Sequence, residues 1–168
     1  MTPHECEEVV TLCLKNWERE TNELWPDDEF SAWEKLNDAI EAKPDEGWQL
    51  ILELIAKTNS ERVLGMIAAG PLEDLLAKHP HEVIDRIEQR ALSDTKFRFC
   101  LGGVWQHATP DDVWRRLYAF CENLIAMGLE EWRPPARGEV QPITREPVNP
   151  LTRSPGMLKD LYSYQRTT

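Results

Sequence analysis

Apolar residues in this chain return every three or four positions, the period of a helix with one face turned inward. Phe30, Trp33, Leu36 and Ile40 share one such face. Trp48, Ile51, Leu52 and Ile55 share a second, and Val83, Ile84, Ile87 and Ala91 a third. Phe97, Leu101, Val104 and Ala108 make a fourth; Val113, Leu117, Phe120, Leu124 and Met127 make a fifth. Cys6, Val10, Cys13 and Trp17 fall on one further stripe. Residues 1–132 hold no convincing apolar–polar alternation of the kind a half-buried strand requires.

Proline sharpens the boundaries. It occurs as "TPHE", "WPDDE", "KPDE", "GPLED", "HPHE" and "TPDD", each time followed by acidic residues and then by an apolar-periodic run. The first helical position tolerates proline because its N–H would have no partner inside the helix. Carboxylates in the first turn favour the positive end of the helix dipole. Helix starts are therefore predicted near residues 3, 26, 44, 71, 80 and 110, with two more near Ser60 and Asp94. Thr2 with Glu5 fits a capping box, and Thr109 with Asp112 resembles one with a shorter acid. The expected fold is all-α: about eight short antiparallel helices, stacked as a HEAT-like or irregular α-solenoid, or gathered into an irregular bundle. Gly65, Ala68, Ala69 and Gly70 offer a place for close helix approach. Gly102 and Gly103 together cost roughly 2 kcal/mol of helix propensity relative to alanine. That cost points to close backbone packing or a kink, with N–H groups exposed to a ligand as the alternative.

After Trp132 the pattern stops. "RPPARGEVQPITREPVNPLTRSPG" carries six prolines and no helical period, so residues 133–168 are expected to form an extended proline-rich tail. Residues 1–132 are expected to form one helical domain. Charge divides the chain in the same way. The net charge of -11 splits into -10 for residues 1–46 (14 acidic, 4 basic), -4 for 47–132 (13 acidic, 9 basic) and +3 for 133–168 (3 acidic, 6 basic). An acidic body repels nucleic acid and anionic membrane surfaces and suits a basic protein partner. "MTPHECEEVV" has neither the basic nor the apolar region of a signal peptide, and no apolar run approaches the roughly 20 residues that span a membrane. The expected location is cytoplasmic.

Chemistry is sparse. Cys6, Cys13, Cys100 and Cys121 have no CxxC or zinc spacing and read as reduced thiols. In "AKHPHEVIDRIE", His81 and Asp85 stand one helical turn apart and are the only candidate metal ligands. They need a third ligand, such as His107 or Asp111. The competing reading is a solvated helix start with His79 at the N-cap and a Glu82–Arg86 pair at i, i+4. His107 reads as a group at a helix C-terminus. No nucleophile elbow, phosphate loop, dinucleotide fingerprint, zinc ribbon or calcium loop occurs. No catalytic residues are assigned and no cofactor is expected. The remaining signal is "NELWPDDEFSAWEK", where Trp25, Phe30 and Trp33 lie among Asp27, Asp28 and Glu29. Aromatic anchors ringed by acids suit a protein interface; aromatics buried in the core beneath a solvated acidic face are the alternative.

Three segments carry a resemblance: "AAGPLEDLL" (68–76), "VIDRIEQRALSDTKFRFCLGGVW" (83–105) and "PDDVWRRL" (110–117). In this order and at this spacing they resemble an uncharacterised bacterial family of the domain-of-unknown-function type. The resemblance covers roughly residues 48 to 128 and leaves the first 46 residues and the tail outside. It implies a bacterial, soluble, helical protein and brings no catalytic residues with it. Small acidic helical bacterial proteins of this style are often antitoxins or immunity proteins, an analogy of style. The expected function is accordingly a non-enzymatic protein-binding module, an immunity-type inhibitor covering a basic partner such as a nuclease toxin. A structural or adaptor protein, homodimeric in one form, and a small metal-dependent hydrolase are the alternatives.

Overall fold

A helix start and a helix end make opposite demands, since the first turn leaves N–H groups without partners and the last turn leaves carbonyls. A computed structural model describes residues 1–19 and 25–129, and among these every regular element is helical. The helices are α1 (Pro3–Glu18), α2 (Asp27–Ala42), α3 (Pro44–Lys57), α4 (Glu61–Ile67), α5 (Glu73–Lys78), α6 (Pro80–Ser93), α7 (Thr95–Leu101) and α8 (Asp111–Ala126). The tail at 133–168 and the boundary at 132 lie outside the described residues.

The starts follow the sequence closely. Thr2 and Glu5 form the capping box, with the Thr2 N–H donating to Glu5 Oε2 at 2.6 Å. Pro44 and Pro80 occupy first-turn positions. Ser60 caps α4 and Asp94 caps α7 through their side-chain oxygens. The Thr109–Asp112 box does not form. Pro110 takes the N-cap position of α8, which pushes Thr109 one residue too far back to reach the first turn.

Pro71 is the one predicted start that is not a start. The chain is helical on both sides of it, and Ala68–Leu72 form a π-helical turn joining α4 to α5. Proline inside an α-helix clashes with the carbonyl four residues back. Widening the turn relieves this, and the Glu73 N–H reaches the Ala68 carbonyl five residues back.

The ends are met by side chains from elsewhere in the chain. Arg62, at the start of α4, donates to the carbonyls of Trp17 and Arg19 at the end of α1. His79 Nε2 lies 2.9 Å from the Ile40 carbonyl and 3.1 Å from that of Glu41, at the end of α2. Carbonyls only accept, so this nitrogen carries the proton. Lys96 in α7 donates to Thr58 at 2.8 Å and to Ala56 at 3.3 Å, closing α3. Arg98, also in α7, donates to the Ala91 carbonyl of α6 at 2.8 Å.

One hydrophobic core runs from Val9 in α1 to Leu124 in α8. The arrangement is an irregular bundle. α3 packs against α1, α2, α4 and α7, and α8 lies on α6. A stack in strict sequence order would not place α3 on α7 or α1 on α4. Trp48 of α3 meets Phe97 of α7 edge to face, with ring centroids 5.5 Å apart. The Val83, Ile84, Ile87 and Ala91 face is buried throughout. The fourth predicted face is shorter than expected, because α7 stops at Leu101 and Gly102 and Gly103 turn the chain. Met127, at the end of the fifth, is exposed.

Two glycines set the closest approaches. A Cβ on Gly47 would lie 2.9 Å from Ile40 Cα, where α3 crosses α2. A Cβ on Gly103 would lie 2.8 Å from the Cβ of Ala68, at the π-turn. Close packing is thus the role of the second glycine of the pair, and its N–H donates to Cys100 within the turn. Alanine at position 47 should gain about 1 kcal/mol of helix propensity, yet Gly47→Ala and Gly103→Ala are each expected to destabilise by about 1–3 kcal/mol through overpacking. Gly70→Ala, which meets nothing within 4 Å, is the control and should be neutral or stabilising. Urea unfolding of the three variants checks this, and a Gly47→Ala protein as stable as wild type would rule out the close α2–α3 crossing.

Candidate functional site

The first turn of α2 separates one acidic run into two roles. Its buried face is Glu29, Ala32, Leu36, Ala39 and Ile40. Phe30 and Trp33 lie off that face and remain 46% and 36% exposed. The face predicted for them with Leu36 and Ile40 is therefore rotated in the folded protein. Its aromatic members point outward, and small alanines occupy the inner positions.

The outward aromatics pack on one another. Trp25, half-buried against the core, meets Phe30 at 6.5 Å and Trp33 at 6.0 Å between centroids, both edge to face. Phe30 and Trp33 are 5.7 Å apart with their planes tilted by 33°. Edge-to-face pairs of this kind contribute about 0.5–1.5 kcal/mol each. The rings form a preassembled ridge, and Asp27 and Asp28 stand exposed beside it at the helix N-terminus.

Glu29 is not part of that surface. Its side chain is fully buried between α1 and α2, where it accepts from Asn16 Nδ2 at 3.0 Å and from Arg19, and lies 3.2 Å from Lys15 Nζ. Burial raises its pKa, but the hydrogen bonds from Asn16, Lys15 and Arg19 and the charge of Arg19 outweigh this and hold the carboxyl below its ordinary range. The expectation that Glu29 meets a partner is corrected, because this carboxylate clasps α1 to α2.

A second cluster lies where the three family-like segments meet. Glu73, just after the π-turn and 8% exposed, accepts from the Trp105 N–H at 3.1 Å. Gly103 packs on Ala68 beside it, and Gln106 Nε2 donates to Asp111 Oδ1 at 2.7 Å at the start of α8. Burial pushes the Glu73 carboxyl up to about 7, opposed by the Trp105 N–H and by His107 and reinforced by the negative charge of Asp74. Burial likewise raises Asp74, against His107 and Lys78. The sequence reading passed over Glu73. Its one visible signal was the acid directly after the proline of "GPLED", which read as an ordinary first-turn carboxylate.

The remaining candidates are accounted for. His81 is exposed, and Asp85 is drawn into a pair with Arg116 of α8 at 2.5 Å, alongside Glu88. Neither His107 nor Asp111 joins them: among the described residues, no group of three or more His, Cys, Asp or Glu side chains is placed to hold a metal ion. Arg86 pairs with Asp45 of α3 at 2.6 Å, so the expected Glu82–Arg86 pair gives way to a contact between helices. His107 sits in the α7–α8 turn with a positive φ of 39°, and not at a helix C-terminus. Cys13, Cys100 and Cys121 are buried, and burial pushes the Cys13 pKa up to about 12. A shallow open groove of about 500 Å³ lies between the end of α2 and the start of α3, lined by Lys35, Asp38, Glu41, Lys43 and Glu46 among others, remote in sequence from the Glu73 cluster. No helix of the described residues is long and apolar enough to cross a membrane.

Residues 17–124 match the model of a family of unknown function, DUF6869, and the chain belongs to that family. The match reaches back to residue 17, so the ridge on α2 lies inside the family domain and not outside it as the resemblance placed it. No curated protein matches the chain, and no solved structure matches it.

Glu29 and Glu73 make opposite predictions about pH. The lowered Glu29 pKa contributes stability above the ordinary carboxyl range, which is lost as pH falls through the folded-state value. Glu29→Gln should therefore be less stable than wild type at pH 7, with the gap closing in acid. The raised Glu73 pKa contributes stability that is full below about 4.5 and lost as pH rises through about 7. Glu73→Gln, which keeps an acceptor for the Trp105 N–H, should be more stable than wild type at pH 8, with the gap closing towards pH 4.5. Thermal unfolding followed by circular dichroism between pH 4 and 8 checks both. A response in the same direction for the two variants would contradict the assignments.

Proposed function

We propose that this DUF6869 protein works by binding another protein through the Trp25–Phe30–Trp33 ridge, with Asp27 and Asp28 steering a basic partner onto it. The observation that carries the reading is the aromatic cluster at the start of α2, in which exposed Phe30 and Trp33 pack on each other and on half-buried Trp25. Large aromatics held rigid at a surface lose little entropy on binding and are the residue type that dominates interface energies. Flanking carboxylates raise the association rate with a cationic partner and reject an anionic one. In its sharpest form the protein is an immunity-type inhibitor whose acidic half covers a basic toxin surface, for instance the nucleic-acid groove of a nuclease. The net charge of -10 over residues 1–46 supports that form. Such a protein acts by occlusion and needs no catalytic group.

Affinity capture from the native cell with wild type, Phe30→Ala/Trp33→Ala and Asp27→Lys/Asp28→Lys tests the reading. Wild type should retain a partner with a basic surface. Truncating the two anchors should weaken it by about 2 kcal/mol or more, and the charge reversal should slow association and reduce its salt dependence. Circular dichroism confirms that both variants are folded. A captured protein whose affinity is unchanged by both variants and by salt would exclude the ridge as the binding surface.

A further inference from the structure

The ridge brings Trp25, Phe30 and Trp33 together around the start of α2, with Asp27 and Asp28 exposed beside them. That combination matches a polyproline II segment carrying arginine. Such a segment has no internal hydrogen bonds, so its carbonyls are open to indole N–H groups, and its pyrrolidine rings stack in aromatic-lined clefts. In a polyproline II conformation, with three residues per turn, the spacing in "PITREPVNPLTR" would put Pro147, Pro150 and Arg153 along one edge and Arg145, Val148 and Leu151 along the next.

We propose that the ridge is a docking surface for a proline-rich cationic segment, and that residues 142–153 of this same chain occupy it until a partner displaces them. The proposal rests on the ridge being a protein-docking surface, as argued above. Reach permits it. The described chain ends at Leu129, 18 residues before Pro147, which at about 3.1 Å per residue spans roughly 56 Å. A folded body of this size has a radius of gyration of about 14 Å, so every point on its surface is within range. Charge favours it as well, with +3 on residues 133–168 against -10 on residues 1–46. Tethering supplies an effective concentration on the order of 1 mM, so a contact with a Kd of about 0.1 mM keeps the ridge about nine-tenths occupied and lowers partner affinity about tenfold.

The test uses the full chain. The indole N–H signals of Trp25 and Trp33 are followed by NMR in wild type and in Arg145→Glu/Pro147→Ala/Pro150→Ala, a variant that leaves α1 to α8 untouched. The two signals are expected to differ between the proteins, and the wild-type signals should move to the variant positions as salt is raised. Adding a synthetic peptide of residues 140–156 to the variant should restore the wild-type positions, while a scrambled peptide of the same composition should not. Identical indole signals in the two chains, or equal binding of the scrambled peptide, would overturn the proposal. Capture of a basic partner together with tail-independent indole signals would sink this inference and leave the protein-binding reading standing. Tail-dependent indole signals restored by the peptide would support the docked segment whether or not a partner is captured.

Discussion

The carbonyls at the end of an α-helix have no partner within it, and where helices are short these ends make up a large share of the backbone. In this protein several of them are met by basic side chains, three of the four brought from positions 38 to 45 residues away. Arg62 closes α1, His79 closes α2, Lys96 closes α3 and Arg98 closes α6. Hydrogen bonds from the charged donors Arg62, Lys96 and Arg98 contribute about 1.5–3 kcal/mol each, and the helix dipole adds to their attraction. Their larger consequence is topological. The contacts of Arg62, His79 and Lys96 each join the start of one helix to the end of another that is not its neighbour in sequence, α4 to α1, α6 to α2 and α7 to α3.

The same tight gathering produces the ridge. α2 lies so close to α3 that Gly47 and Ile40 leave no room for a Cβ between them. The buried face of α2 takes Ala32, Leu36, Ala39 and Ile40, and Phe30 and Trp33 lie outside it. The aromatics then bury area against one another and against Trp25 instead. On the other side, the buried Glu29 clasp fixes how α2 is rotated, with Asn16, Lys15 and Arg19 holding it from α1. An internal ion pair and an outward aromatic cluster are thus two results of one helix orientation.

The π-turn belongs to the same economy of space. Pro71 forces the helix to widen, the widened turn brings Ala68 against Gly103, and the Trp105 N–H then reaches Glu73. The segments that carry the family resemblance meet here, which gives them a structural reason to occur together: they form the joint between α5, the α7–α8 turn and α8. A carboxyl buried at that joint titrates near neutrality because little positive charge compensates its loss of water.

Local chemistry was legible from the sequence because it acts within a few residues. The helical period, the capping box at Thr2, the caps at Ser60 and Asp94, the proline starts and the buried thiols follow from neighbours in the chain. Pro71 misled for a local reason, since the same residue suits a first turn and a widened one. What the sequence could not decide was rotation and partnership. In "WPDDEF" the three acids look alike, yet Glu29 became an internal clasp while Asp27 and Asp28 stayed at the surface. Phe30 and Trp33 fit a core face by spacing and lie outside it in the folded protein. Arg62, His79 and Lys96 carry no mark of the carbonyls they close, because those carbonyls lie 38 to 45 positions away. Periodicity determined that these segments are helices; only packing, which weighs side-chain volume and unpaired backbone groups across the whole chain, decided which way each helix faces.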